Sequence, residues 1–252
     1  MRHVMAPTKN MRKFMQAVDT LLTRPMGTEG MGLLWGAPGE GKSTAVARVC
    51  DQFNGIFVRA IGCWTVTGML GDLCRELGGE RRGRRKDMIE YIVEELRKDN
   101  RAARPIFIDE ADYCFRQTEM VDALRDIYDL TGCPVIMIGM EDIAKRIKTN
   151  ARLSRRITQW VEFNGLDLED IDIVATECCE VAISDDLRCY LHKECNANIG
   201  RIIIALTRIE KLAKANGLLE MDCATWGKRP LYYDQPTFPR RAKRANQEGS
   251  KL

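Results

Sequence analysis

Apolar residues recur along this 252-residue chain in two alternating rhythms. Met11, Phe14, Met15, Val18, Leu21 and Leu22 fall at helical spacing, so 8–22 is predicted to be an amphipathic helix. After a loop over 24–30, residues 31–35 form a short unbroken apolar run, the pattern of a strand buried on both faces. Helical spacing returns over 44–53. The alternation continues with a strand at 56–61, a helix at 67–77 closed by Gly78-Gly79, and a helix at 87–98. A strand at 105–108, a helix at 120–130 stopped near Gly132, and a strand at 135–138 come next. A helix at 142–148 and a strand at 161–163 complete the series. Short apolar strands separated by helices predict an α/β fold, a parallel sheet flanked by helices.

The pattern changes after Gly165. Helical stretches at 167–179, 185–195 and 200–216 follow with no predicted strand between them, which reads as a small all-helical domain. From Trp226 onward proline and charge dominate, and an irregular tail is expected. The predicted organisation is therefore an N-terminal helix and linker (1–30), an α/β core (31–165), a helical domain (166–225) and a basic tail (226–252).

Composition narrows the class little: 45% hydrophobic and 30% charged residues describe an ordinary globular protein. No apolar run approaches the roughly 20 residues that cross a bilayer. No apolar segment follows the first basic residues, so neither a membrane partner nor a signal peptide is expected, and a cytoplasmic location is. The ten cysteines include no Cys-x-x-Cys pair. Cys189, His192 and Cys195 are three apart and fan out over a helix, so reduced thiols are expected rather than a metal centre. The net charge of +3 is uneven, with seven basic and two acidic residues between Lys228 and Leu252. Such a tail suits either a polyanionic partner or simple solubilisation.

Chemistry enters at Gly36-Ala37-Pro38-Gly39-Glu40-Gly41-Lys42-Ser43-Thr44, between a predicted strand and a predicted helix. Glycines at this spacing let the backbone wrap a polyphosphate with its N–H groups pointing inward. Lys42 is placed to reach the β- and γ-phosphates and Ser43 to hold Mg²⁺, with the helix N-terminus facing the anion. A nucleoside triphosphate is the expected ligand. About 70 residues downstream, the strand at 105–108 runs into Asp109-Glu110. A carboxylate at that strand end suits a metal, and its neighbour suits a general base, so Asp109 is assigned to Mg²⁺ and Glu110 to the attacking water.

These parts, in this order, resemble the AAA+ ATPases over roughly residues 8–217. The resemblance implies an AAA+ P-loop fold with a helical lid, ATP and Mg²⁺ as cofactors, and ATP hydrolysis. It makes 36–44 the Walker A loop and 106–110 the Walker B strand. Arg152-Leu153-Ser154-Arg155-Arg156-Ile157 then stands where the family keeps an arginine finger, with Arg156 the best match and Arg155 second. A solvated basic helix end is the alternative. Arg201, opening the third lid helix after Asn196-Ala197-Asn198-Ile199-Gly200, matches a sensor arginine directed at the γ-phosphate, with a structural salt bridge as its alternative. The polar sensor expected after 135–138 is replaced by Gly139-Met140-Glu141, so either Glu141 substitutes or that sensor is absent.

Within AAA+, the chain resembles the transposition-helper branch, the phage target-selection proteins and the ATP-binding partners of insertion-sequence transposases. Thr8 and Asn10 in the leading helix, 36–44, 57–77, 107–112, Ile138-Gly139-Met140, 154–157, Gly200-Arg201, and Ala213 followed by Asn216-Gly217 carry that likeness. It implies an oligomer, a helical filament or ring, that forms with ATP on double-stranded DNA without sequence preference. It also implies a transposase partner, and a mobile element or transposable phage in a bacterial host as the source. The alternatives are a switch acting on a protein client, in secretion or replication initiation, or a slowly hydrolysing oligomer held together by nucleotide.

The residues supply their own reason to expect DNA. Arg81, Arg82, Arg84, Arg85 and Lys86 surround Gly83 in one predicted loop, suited to neutralising phosphates. A solvated surface loop is the alternative. Thr65 and Thr67 beside Trp64 offer hydroxyl donors, and Trp64 reads as a packing residue before a stacking one. Lys145, Arg146, Lys148 and Arg152 form another basic group. The tail adds Tyr232, Tyr233 and Phe238. Nothing resembles a nuclease or transposase active site, so DNA cleavage is not expected.

Overall fold

The computed structural model describes residues 1–2, 4–80, 83–98 and 103–232. The chain opens with α1 (Lys9–Leu22), whose first turn is capped by Thr8: its Oγ1 accepts from the Met11 N–H at 3.4 Å. The core then alternates β1 (Met31–Gly36), α2 (Lys42–Gln52), β2 (Ile56–Arg59), α3 (Val66–Glu76), α4 (Arg85–Lys98), β3 (Ile106–Asp109), a 3₁₀ turn (Ala111–Arg116), α5 (Thr118–Thr131), β4 (Val135–Gly139), α6 (Glu141–Thr149), α7 (Ala151–Ser154) and β5 (Ile157–Phe163). The five strands pair in parallel in the order β2-β3-β4-β1-β5.

Period-two alternation sorts side chains to the two faces of this sheet. Leu33, Ile106, Ile108, Val135 and Met137 face the layer built by α3, α4, α5 and α6. Leu34, Phe107, Ile136, Ile138 and Phe163 face α1 and α2. Phe14 of α1 meets the rings of Phe107 and Phe163 edge-on, each at 6.2 Å. The sheet is thus covered on both sides, and its functional groups emerge where strands end.

Several boundaries in the core differ from the sequence reading, two of them beside basic segments. β5 starts at Ile157, because the mixed run Ile157-Thr158-Gln159-Trp160 pairs along β1 at the sheet edge instead of continuing the basic segment before it. α4 starts at Arg85, so Arg85 and Lys86 belong to its first turn rather than to a loop. Long basic side chains are good helix formers. Arg81 and Arg82 lie outside the described residues.

After the core come α8 (Leu168–Cys178), β6 (Ala182–Ile183), α9 (Asp185–Glu194), α10 (Ile199–Ala215), β7 (Glu220–Met221) and α11 (Cys223–Trp226). β6 and β7 pair in parallel, so this lid is not purely helical. Strands of two residues are too short to show a period. Nor does it stop at residue 225. Trp226 and Leu231 are buried in the lid core with Ile171, Leu187, Leu206 and Ile209. Residues 233–252 of the basic tail lie outside the described residues, Tyr233 and Phe238 included. Among the described residues no helix is long and apolar enough to cross a membrane.

Lid and core are tied at the start of α1. The buried Asp170 of α8 accepts from the Lys9 N–H at 2.7 Å, and Asn10 Nδ2 donates to Asn164 O at 2.7 Å. Residues before α1 run along α8, where the Arg2 N–H donates to Cys178 O at 2.8 Å.

Candidate nucleotide site

A cavity of about 620 Å³ opens between core and lid at the carboxyl ends of the strands. The glycine loop forms its floor. Gly39 (φ +83°) and Gly41 (φ +79°) occupy the left-handed region that glycine tolerates without strain. Gly41 precedes the first turn of α2, so that helix points its positive end into the cavity. The N–H groups of Gly39, Glu40 and Gly41 donate to no group among the described residues. Lys42 Nζ rests on the loop's own Gly36 O (2.7 Å) and Ala37 O (2.8 Å), and burial pushes its pKa down.

Across the floor stands the acidic pair. Asp109 is buried at the end of β3, and its Oδ2 accepts from Ser43 Oγ at 3.2 Å. The two residues assigned to Mg²⁺ therefore converge. A hydroxyl and one carboxylate, with room for water and phosphate oxygens, fit the hard, oxygen-loving Mg²⁺ ion. Glu110 follows in a left-handed conformation (φ +54°), unusual outside glycine, and lines the same cavity.

Arg59 was missed in the sequence. It ends β2, in register with Asp109 across the strand pair. Its Nη2 lies 3.2 Å from Glu110 Oε1 and its Nε 3.9 Å from Asp109 Oδ2. The carboxylate assigned to the water is thus held by an exposed arginine. The available signal was a charged residue closing an otherwise apolar strand. Asp112 was also unassigned. Its Oδ2 accepts from the Met140 N–H at 2.9 Å, and burial pushes its pKa up. The expected polar sensor is replaced here by a backbone N–H already bonded to a carboxylate. Met140 and Glu141 are exposed, and only Met140 among the two lines the cavity.

The lid contributes Ile199, Gly200 and Ile203 to the cavity wall. Arg201 is not among the lining residues. Successive helical residues turn by about 100°, which carries position 201 round from the face shared by 199, 200 and 203. Its guanidinium instead sits 5.5 Å from the centre of the Tyr232 ring. This corrects the orientation expected for Arg201. Ile203 takes the cavity face, while Ile204 is 53% exposed.

The remaining site residues lie apart. Arg156 makes a two-pronged ion pair with Asp129 (2.8 and 2.7 Å) and donates to Arg152 O at 3.0 Å. Arg155 is exposed and has no such anchor among the described residues. Thr65 caps α3 by accepting from the Gly68 N–H at 3.1 Å, and Thr67 Oγ1 accepts from Arg85 Nε at 3.1 Å. Arg84 and Lys86 are exposed, Lys86 3.5 Å from Glu90. Trp64 is buried, donating to Asp72 Oδ2 at 2.7 Å, and so serves packing.

Residues 24–147 match the AAA domain family. That match runs from the loop before β1 into α6 of the core. Its sheet, phosphate loop and following lid have the AAA+ P-loop fold. Among solved structures, the fold is similar to Cdc6p from Pyrobaculum aerophilum (TM-score 0.61, 17% identity, 84% of this chain and 63% of that one). It is similar also to the Aeropyrum pernix ORC1 protein in complex with DNA (TM-score 0.61, 16% identity, 85% and 62%). A third likeness is to the Aeropyrum pernix ORC2 protein in ADPNP-ADP complexes (TM-score 0.67, 13% identity, 89% and 68%). The chain spans about three fifths of the first two. No curated protein matches it in sequence.

Arg201 of α10 stands outside the cavity lining, over the Tyr232 ring. Arg201→Ala is therefore expected to leave ATP affinity within about twofold of wild type by calorimetric titration, well under the tenfold that 1.4 kcal/mol represents. A loss beyond tenfold returns Arg201 to the site.

Proposed function

We propose that this chain is an ATP-dependent, sequence-tolerant DNA-binding ATPase that self-associates on target DNA and recruits or stimulates a transposase. The observation that carries the ATPase part is the convergence of Ser43, Asp109 and Glu110 beside free loop N–H groups. Loop N–H groups and Lys42 bind and orient the phosphates of ATP. Ser43 and Asp109 would hold Mg²⁺, whose charge offsets that of the phosphate oxygens when it is bound. Glu110 takes the proton of the attacking water as general base. Arg59 restrains Glu110 until that ion pair opens, which supports slow basal turnover. Ile203 and Met140, where polar sensors were expected, support the same reading.

A neighbouring subunit supplies the missing cation. Arg155 is the better candidate for that finger, because Arg156 is already committed to Asp129. DNA contacts fall to the basic edge beside β2 and α3, where Arg84, Arg85 and the exposed Arg116 stand near Thr65 and Thr67. Arg81 and Arg82 extend that group in the sequence. Such contacts neutralise phosphates without reading bases. The likeness to Cdc6p and to ORC1 bound to DNA favours a second reading, an initiator-type switch in a replication assembly. Stimulation of a purified transposase by this chain separates the two.

DNA binding is expected to require ATP, to tolerate any duplex sequence, and to fall linearly on a log–log plot against salt. Fluorescence anisotropy with random duplex across a salt series measures this. Tight binding without ATP, or none at any salt, contradicts the proposal. For the finger, Arg155→Ala is expected to keep ATP binding by the single chain and to lower assembly-dependent turnover by about 10³-fold or more. Arg156→Ala is expected to lower thermal stability first. Phosphate release with full turnover in Arg155→Ala rules out that assignment.

A further inference from the structure

The lid touches the phosphate loop through the start of α10. Asn198 caps that helix, its Oδ1 accepting from the Arg201 N–H at 3.2 Å. Its Nδ2 donates to Pro38 O at 3.0 Å and to Glu40 Oε1 at 3.3 Å. Both ends of this amide are fixed by backbone groups, so its orientation is determined. Two residues on, the Gly200 N–H donates to Gly39 O at 3.0 Å. The fit is close: a Cβ on Gly39 would stand 2.8 Å from Asn198 Oδ1, and one on Gly200 would stand 3.3 Å from Gly39 O.

A trans peptide carries its C=O and the following N–H on opposite edges. The Pro38 carbonyl shares its plane with the Gly39 N–H, and the Gly39 carbonyl with the Glu40 N–H. Bonds that turn both carbonyls to the lid turn both N–H groups away from it, and Gly39 and Glu40 both line the cavity. Those are donors without a partner among the described residues. Glu40 adds a second tie. It is 8% exposed, one carboxylate oxygen meets Asn198, and the other has no partner among the described residues. Held at the lid, that negative charge is fixed in place beside an anion site.

We propose that Asn198 is a positioning residue which, with the Gly200 N–H, sets the peptide planes of the phosphate loop so that the Gly39 and Glu40 N–H groups face the triphosphate. The lid is then part of the phosphate site without touching phosphate. This rests on the ATPase reading above for the identity of the anion, while the lid–loop contact stands without it.

Asn198→Ser tests it. Serine keeps the helix cap and adds no charge, but is too short to reach Pro38 O. The probes are Mg-ATP and inorganic triphosphate, titrated into wild type and variant, with amide hydrogen exchange along α10. Both ligands are expected to weaken by the same factor, at least about tenfold, with residues 202–206 as protected as in wild type. The Gly200 amide is expected to exchange faster in the variant without ligand. Unchanged triphosphate affinity, or a loss confined to ATP, overturns the proposal, since a merely loosened lid affects contacts to the nucleoside and not to the phosphates. If wild type binds neither ligand, the ATPase reading falls. The lid–loop contact is then judged on the Gly200 amide, whose unchanged exchange overturns it.

Discussion

Each peptide plane offers one donor and one acceptor on opposite edges, and a loop that binds phosphate must spend its donors in one direction. The turn from β1 into α2 meets that demand by giving the carbonyls of Pro38 and Gly39 to the lid. Left-handed glycines make the turn possible, and the end of a buried parallel strand anchors it. Everything else in the site is placed relative to this turn. Ser43 follows on the first turn of α2, Asp109 arrives beside it on β3, and the lid closes the far wall.

The chemistry around that floor is restrained. Glu110 occupies a left-handed backbone conformation and leans on Arg59. Asp112 is committed to the Met140 N–H. The lid presents Ile203 where a cation was expected. On the proposed reading, such a chain holds a triphosphate and breaks it down only when Arg59 lets go and a second charge arrives from outside. That division suits a switch, in which the lifetime of the bound state matters more than turnover.

β1 to β4 were legible because their part of the sheet is buried on both faces, which leaves continuous apolar runs, whereas only the last three residues of the edge strand β5 were. The glycine loop and the acidic pair were legible because their spacing is set by the turn they make. β6 and β7 were not, since two residues carry no period. Arg201 was read by its neighbours in the chain, but its direction depends on where the helix axis points, and a rotation of one or two residues exchanged it for Ile203. Arg59 and Asn198 were missed as site residues for a related reason. Each acts through a partner more than 50 positions away, and nothing local marks the meeting.

The account stands on one cleft that takes a metal-bound triphosphate between core and lid. Calorimetric titration of ATP into wild type and Ser43→Ala, each with and without Mg²⁺, tests that most directly. The account predicts one ATP per chain, tighter with Mg²⁺ in wild type, and a Mg²⁺ effect that vanishes in the variant. Absence of binding in wild type, or an undiminished Mg²⁺ effect in Ser43→Ala, contradicts it.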